Sequence, residues 1–212
     1  MNGSLKMQRY MREHLHLYVY VSVLFVMGVV FGAVMVNALS LEQREEIARH
    51  LGSFFHMVND GNSLQPEVTF RQTAGMHIKW VLLIWIFGLS VVGMPLILVL
   101  DFLKGVLVGF TVGYLIGHLS WNGLMFALVA VAPQNLFIIP ALIITSVTAI
   151  AFSVRLVKQR FLQKKGSVYH PFMRYSLLTL SMALLLLGVS AFEAFLSPVM
   201  MKWVAPMLVD VS

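Results

Sequence analysis

KGVLVGFTVGYLIGH, residues 104–118, carries a glycine at every fourth position: Gly105, Gly109, Gly113 and Gly117. Almost every residue between them is Val, Leu, Ile, Phe, Thr or Tyr. In water, each such glycine weakens a helix by roughly 1 kcal/mol relative to alanine. In lipid, the same spacing makes a smooth ridge on which a second helix backbone can lie close. Four residues advance about 40° beyond a full turn, so the ridge winds across the helix face over about 18 Å. One straight partner cannot follow all of it, which predicts contacts with at least two helices. A shorter pair, Gly28 and Gly32, repeats the spacing upstream. Either set can serve packing within the chain or a homodimer.

Composition decides for lipid. Of 212 residues, 59% are hydrophobic and 11% charged, against about 25% charged in an ordinary soluble domain. The apolar residues fall in runs near the roughly 20 residues that a helix needs to cross a bilayer. The sequence therefore predicts an all-α, polytopic membrane protein with a single helical membrane domain over residues 1–212. No cysteine is present, which removes thiol nucleophiles and Cys-ligated metals. The net charge of +6 comes from basic residues lying mainly between apolar runs. That pattern is a topology signal and gives no reason to expect nucleic acid. The first apolar run is too long for a signal-peptide core, and no cleavage site of the A-x-A type follows it.

Five spans are expected, at residues 17–39, 78–100, 102–119, 124–154 and 175–196. Gly93 and Pro95 should bend the second late in its course, and Asp101 to Lys104 should form a tight turn before the third. HLSWNG, residues 118–123, reads as a further turn. The fourth stretch is too long for one straight span, and Pro133 and Pro140 should break it, leaving Gln134 and Asn135 in a polar elbow. Lys6, Arg9 and Arg12 face one acid, Glu13, while residues 155–174 carry six basic residues and no acid. The positive-inside rule puts both segments in the cytoplasm, giving N-in, C-out. Residues 40–77 are then extracytoplasmic. Within them, LEQREEIARHLGSFFHMV (residues 41–58) predicts an amphipathic helix capped by Ser40, with Leu41, Ile47, Leu51, Phe54 and Phe55 as candidate docking residues. NDGNSLQP reads as a loop after it, and the tail after residue 198 as a short interfacial segment.

Catalysis needs convergent nucleophiles, bases or metals. The sequence has no GxSxG, HExxH or Walker motif, and no aspartate pair suited to intramembrane proteolysis. His50 and His56 are six apart and face different sides of a helix. No enzyme, metal or cofactor is expected. Two polar features in the apolar bulk call for an explanation: Gln134–Asn135, and Glu193 near the outer end of the fifth span. A charge within a span is a functional-site hypothesis by default, and Asn135, Gln134 and Asn122 are its candidate partners. The structural alternative is an interfacial Glu193 and a polar elbow that only satisfies a helix break. Asp101 and Lys104 read either as an ordinary i,i+3 pair at a helix start or as a gate, the first being the commoner arrangement. The basic loop can bind anionic headgroups or act as a topology signal alone.

The motifs YVSVLFVMGVVFGAVMVNALSLEQ (residues 20–43), WIFGLSVVGMP (85–95), KGVLVGFTVGYL (104–115), APQNLFIIPALI (132–143) and FEAFLSP (192–198) follow one another over nearly the whole chain. In that order and spacing the chain resembles the stage II sporulation protein M family, polytopic components of the engulfment machinery of endospore-forming bacteria. Many members of the wider family have a Pro-His-Gly-x-x-Glu-like pattern at the fourth-span break. This chain has Gln134, Asn135 and Ile138 there, as the sporulation branch tends to. The resemblance implies a non-catalytic scaffold in the septal or engulfing cell membrane. It would recruit or localise two extracytoplasmic peptidoglycan hydrolases, stage II sporulation proteins D and P, to the septal wall. From another class, the broken fourth span and Glu193 fit a transporter or channel-like protein for an ion, lipid or small molecule.

Overall fold

A computed structural model of the chain describes residues 15–59, 66–90, 92–158, 169–196 and 199–200. Among these residues the secondary structure is helical. α1 spans Leu15–Met35 and closes in a 3-10 turn, Val36–Ala38. α2 is Leu41–Asn59, α3 Pro66–Gly88, α4 Gly93–Phe126, α5 Ala132–Lys158 and α6 Tyr169–Phe195. Leu15–Ala38, Gly93–Lys158 and Tyr169–Phe195 are long and apolar enough to cross a membrane. α3 is punctuated by Glu67, Arg71 and Lys79.

α1 and α4 touch backbone to backbone. A Cβ added at Gly28 would strike the Phe102 carbonyl oxygen, and one at Gly32 the Val106 carbonyl oxygen. In return, a Cβ at Gly105 would strike Phe25 O, and one at Gly109 would strike Val29 O. At Gly113 it would come within 2.9 Å of Ala33 Cα. Both sequence numbers rise together along this contact, so α1 and α4 run parallel. One helix thus takes three rungs of the ladder, and Gly117 has nothing within 4 Å of its would-be Cβ. The expectation of two partner helices is corrected. The seam is short enough for one neighbour to follow before the ridge winds away.

The other helices pack by side chains and alternate in direction. His77 meets Ser190, and Trp85 meets Ser176, so α3 and α6 are antiparallel. Gly88 faces Ala149, and Ser153 bonds to Ser90, so α3 and α5 are parallel. Trp80 lies under Lys104 in an antiparallel α3–α4 hairpin. Tyr175 fits over Gly88, its hydroxyl shared between Ile84 O and Trp85 O at 3.2 and 3.0 Å. Tyr175 also stacks on Phe152 with ring centroids 4.9 Å apart. The core of Val21, Ile84, Ile97, Val147, Ala149, Ile150 and Leu186 forms around that contact. Outside it, α1 exposes Val19, Val23, Val26, Met27, Val30 and Phe31. Exposed apolar residues on this scale form a lipid-facing surface, since soluble proteins rarely show large contiguous apolar patches.

Several sequence-based boundaries move. The break expected at Asp101–Lys104 falls instead between α3, which ends at Gly88, and α4, which begins at Gly93. There the Ser90 carbonyl accepts from Gly93 N at 3.2 Å and from Ser153 Oγ at 2.8 Å. Gly93 and Pro95 therefore open α4 and do not bend the end of a span. Proline is tolerated in a first turn because its missing N–H would have no intrahelical partner there. A Cβ at Gly93 would collide with the Phe87 carbonyl, which fixes glycine at this corner.

Nor is the fourth span broken between Pro133 and Pro140, because α5 runs through both prolines. The irregularities lie upstream. Within Gly93–Phe126 the helix is interrupted at Ser120, which has φ 51° and ψ −126°. A π-turn, Ala127–Val131, follows and leads into α5. Pro133 has no N–H to return to that turn, and the wider i,i+5 register accommodates the deficit. A Cβ at Gly123 would strike Leu115 O, so the chain after Ser120 folds back against α4. α6 begins at Tyr169, ahead of the span expected from residue 175. Residues 1–14, 60–65, 159–168 and 201–212 lie outside the described residues. The N-terminal charges, the NDGNSLQP loop core, the middle of the basic loop and most of the tail fall among them.

Two stability measurements follow from these contacts. Gly109→Ala must push α4 off Val29 and should destabilise the bundle by about 1–3 kcal/mol. Gly117→Ala should be neutral or slightly stabilising. Thermal unfolding of both variants in nanodiscs separates the two positions. Ser120 has dihedrals suited to glycine, so Ser120→Gly should stabilise by about 1 kcal/mol. Ser120→Val should lower the same unfolding midpoint.

Candidate functional site

The interior of the bundle is polar where the sequence suggested a loop. Asp101 is only 4% exposed, and Ser146 Oγ donates to its Oδ1 at 2.7 Å. Its Oδ2 is buried without a hydrogen-bond partner. Asp101 comes into the core because it lies on the same face as Ile97, Gly105 and Gly109, the stripe that α4 turns inward. Eight residues separate it from the start of α4, about 12 Å along the helix. The reading of Asp101 and Lys104 as an ordinary pair in a tight turn is therefore corrected.

Lys104, three residues on, reaches another set of groups. Its Nζ lies 5.7 Å from the centroid of the Trp80 ring, within range of a cation–π attraction. It also attracts Glu193 of α6 through space. His77 of α3 feels the same lysine. The His77 ring is 6% exposed, and its Nδ1 lies 2.9 Å from Ser190 Oγ. Ser190 sends its own hydroxyl hydrogen to Leu186 O at 2.9 Å. His77 Nδ1, Ser190 Oγ and Leu186 O thus form one hydrogen-bonded chain between α3 and α6. Three helices thus contribute one polar layer: His77 and Trp80 from α3, Lys104 from α4, Ser190 and Glu193 from α6.

Glu193 has Lys104 as its electrostatic partner, which the sequence did not reveal. Asn135 donates from Nδ2 to Val131 O at 2.9 Å, within the turn before α5. Its amide thereby serves the helix irregularity. Gln134 is half-buried beside it. The helix registers place Asn135 and Glu193 at about the same level, that of Ala74.

The glycines of both sets are placed in the α1–α4 seam, apart from Gly117. Gly28 and Gly32 are thereby occupied within the chain. On α2, Ser40 and Gln43 form a reciprocal capping box: Ser40 N donates to Gln43 Oε1 at 3.0 Å, and Gln43 N to Ser40 Oγ at 3.3 Å. Arg44 Nη2 donates to Asn37 O at 3.2 Å, and Tyr114 OH to Arg44 O at 3.0 Å. α2 is thus tied to the far ends of α1 and α4. Leu51 packs toward Leu115 and Leu119, Ile47 is half-buried, and Leu41 is 79% exposed. The side chains of Phe54 and Phe55 lie outside the described ones. Glu42, Glu45, Glu46 and Arg49 stand exposed on the outer face.

Among the described residues no group of three His, Cys, Asp or Glu could hold a metal ion. What the site can do is hold charges inside a helical bundle and present a capped helix at one end. This defines a helical membrane protein with a charged interior. The family model for stage II sporulation protein M matches residues 21–198, most of the chain. The chain belongs to that family and is a sporulation-related membrane protein. No curated protein and no solved structure matches it.

The Lys104–Glu193 attraction has a measurable signature. Lys104→Met or Glu193→Gln alone leaves one charge uncompensated in the bundle, so each should lower the unfolding midpoint. The double variant should recover part of the loss, with a coupling of about 1 kcal/mol. Chemical unfolding of the four proteins in matched detergent checks it.

Proposed function

We infer that the protein is a non-catalytic scaffold that holds septal peptidoglycan hydrolases at the membrane during engulfment of the forespore. Five crossings, N-in and C-out, fit this reading. The alternating directions of α1, α3, α4, α5 and α6 support the count, and the basic residues before α1 and after α5 support the orientation. α2 then lies outside, at the wall-facing end. The observation that carries the inference is α2 itself. It is a capped helix pinned to the bundle by Arg44 and Tyr114, with Leu41 and four charged side chains facing away from it. An idle connector between two crossings needs neither the cap nor the tether. Family membership supports a role in sporulation. The partners that fit are stage II sporulation proteins D and P, extracytoplasmic enzymes that require a fixed address on the septal membrane.

A second reading, passage of an ion or small molecule, is favoured by one observation: His77, Asp101, Lys104 and Glu193 face the interior of the bundle. Ionisable groups at membrane depth often mark a pathway. Liposomes containing the purified protein separate the two. Flux that is abolished by Glu193→Gln supports the pathway, and tight liposomes support the scaffold.

The scaffold reading predicts the outcome of a pull-down. A chain with the exposed face of α2 recoded (Leu41→Ser, Glu42→Lys, Glu45→Lys, Glu46→Lys, Arg49→Glu) should keep its unfolding midpoint. It should lose most of the hydrolases that co-purify with the unaltered chain from sporulating cells. Undiminished recovery with normal engulfment removes α2 from the account.

A further inference from the structure

Among the described residues, Asp101 is the one group whose buried side-chain bonding is incomplete. It is almost fully buried, Ser146 occupies Oδ1, and Oδ2 has no partner. Among the described residues no charged side chain forms an ion pair with it, and Ser146 is its hydrogen-bond partner. Lys104, the cation closest in sequence, places its Nζ over the Trp80 ring. The neighbouring helices offer no substitute. α1 has His16, Tyr18 and Tyr20 in its first turns and nothing ionisable from Val21 to Met35. α5 has none between Ala132 and Val154, and Arg155 and Lys158 lie in its last turn. On α3, His77 is bonded to Ser190, while Lys79 is exposed and Glu67 and Arg71 lie at the far end. On α6, Arg174 is exposed, Tyr175 is bonded to Ile84 O and Trp85 O, and Glu193 is an acid in the field of Lys104.

A buried carboxylate without a countercharge is far more costly than the neutral acid. Something positive must complete the group. A metal cation needs a shell of several oxygens, and among the described residues no second carboxylate or histidine gathers with Asp101 into a group of three that could supply it. A proton needs no such shell. We propose that Asp101 and Ser146 form a buried proton-binding site, in which Oδ2 takes up a proton while Ser146 holds Oδ1. The site lies between α4 and α5, one helical turn from Gly105 in the α1–α4 seam. Loading it therefore acts on the helix at the centre of the bundle. The proposal requires no transport and does not depend on the scaffold reading.

Infrared pH-difference spectra of the full-length chain in nanodiscs read the group directly. A protonated Asp101 gives a carboxylic-acid C=O band. It should vanish in Asp101→Asn, which has the shape and neutrality of the acid and should fold. In Ser146→Ala the band should move to higher frequency, because the carbonyl oxygen loses its donor. Glu193→Gln should leave it in place. The proposal is overturned if unaltered and Asp101→Asn spectra superimpose, or if Ser146→Ala leaves the band unmoved. It is also overturned if sodium chloride bleaches the band at constant pH and choline chloride does not, since the occupant is then a metal cation. Should Asp101→Asn fail to fold, the Ser146→Ala shift decides alone.

Discussion

The close parallel contact of α1 on α4 is the constraint on which the rest of the bundle depends. At Gly28, Gly32, Gly105 and Gly109 there is no room for a Cβ, because the facing carbonyl already occupies the space. Lipid gives no hydrophobic reward for bringing two apolar helices together, so association rests on packing and on small residues that let backbones approach. With α1 held on one face, the rotation of α4 about its axis is fixed. Ile97, Asp101, Gly105 and Gly109 share one inward stripe. The same rotation that seats the glycines therefore carries Asp101 to Ser146 and aims Lys104 at Trp80.

Function and fold divide along the bundle. The middle is a layer of charged and hydroxyl side chains whose partners come from different helices: His77 with Ser190, Asp101 with Ser146, Lys104 with Trp80. One end carries α2, fastened by its cap and by Arg44 and Tyr114. The proposed roles use these separately. In these proposals α2 would offer its face to wall-bound enzymes, and the interior would hold a proton at Asp101. A scaffold needs a rigid frame beneath its docking surface, and the glycine seam and the Tyr175 contact over Gly88 supply one.

Much of this was legible in the sequence, where the signal was local. Apolar run length gave the membrane class, glycine spacing gave close packing, and Ser40 announced the start of α2. The motifs placed the family. The errors share a cause. Asp101 and Lys104 looked like a turn because charges usually lie outside a span, yet their partners are Ser146 and Glu193, dozens of residues away. His77 seemed to close a polar segment until Ser190, 113 residues on, took its ring nitrogen. Pro133 and Pro140 were read as breakers, but a π-turn upstream accommodated the first, and α5 continued through the second. The interruption at Ser120 falls inside HLSWNG, where a turn is expected from the sequence, although serine gives no hint of the positive φ found there.

The central claim is that α1 and α4 lie parallel, glycine face to glycine face, within one chain. The chain has no cysteine, so paired substitutions report on it without background. Ala33 and Gly113 face each other, with 3.2 Å between the Ala33 Cβ and a Cβ built at Gly113, close to disulfide geometry. Ala33→Cys with Gly113→Cys, oxidised in native membranes, should give an internally bridged monomer. Ala33→Cys with Gly117→Cys should bridge poorly. Covalent dimers from the first pair, or an internal bridge between Phe25→Cys and Gly113→Cys in its place, would contradict the parallel intrachain seam.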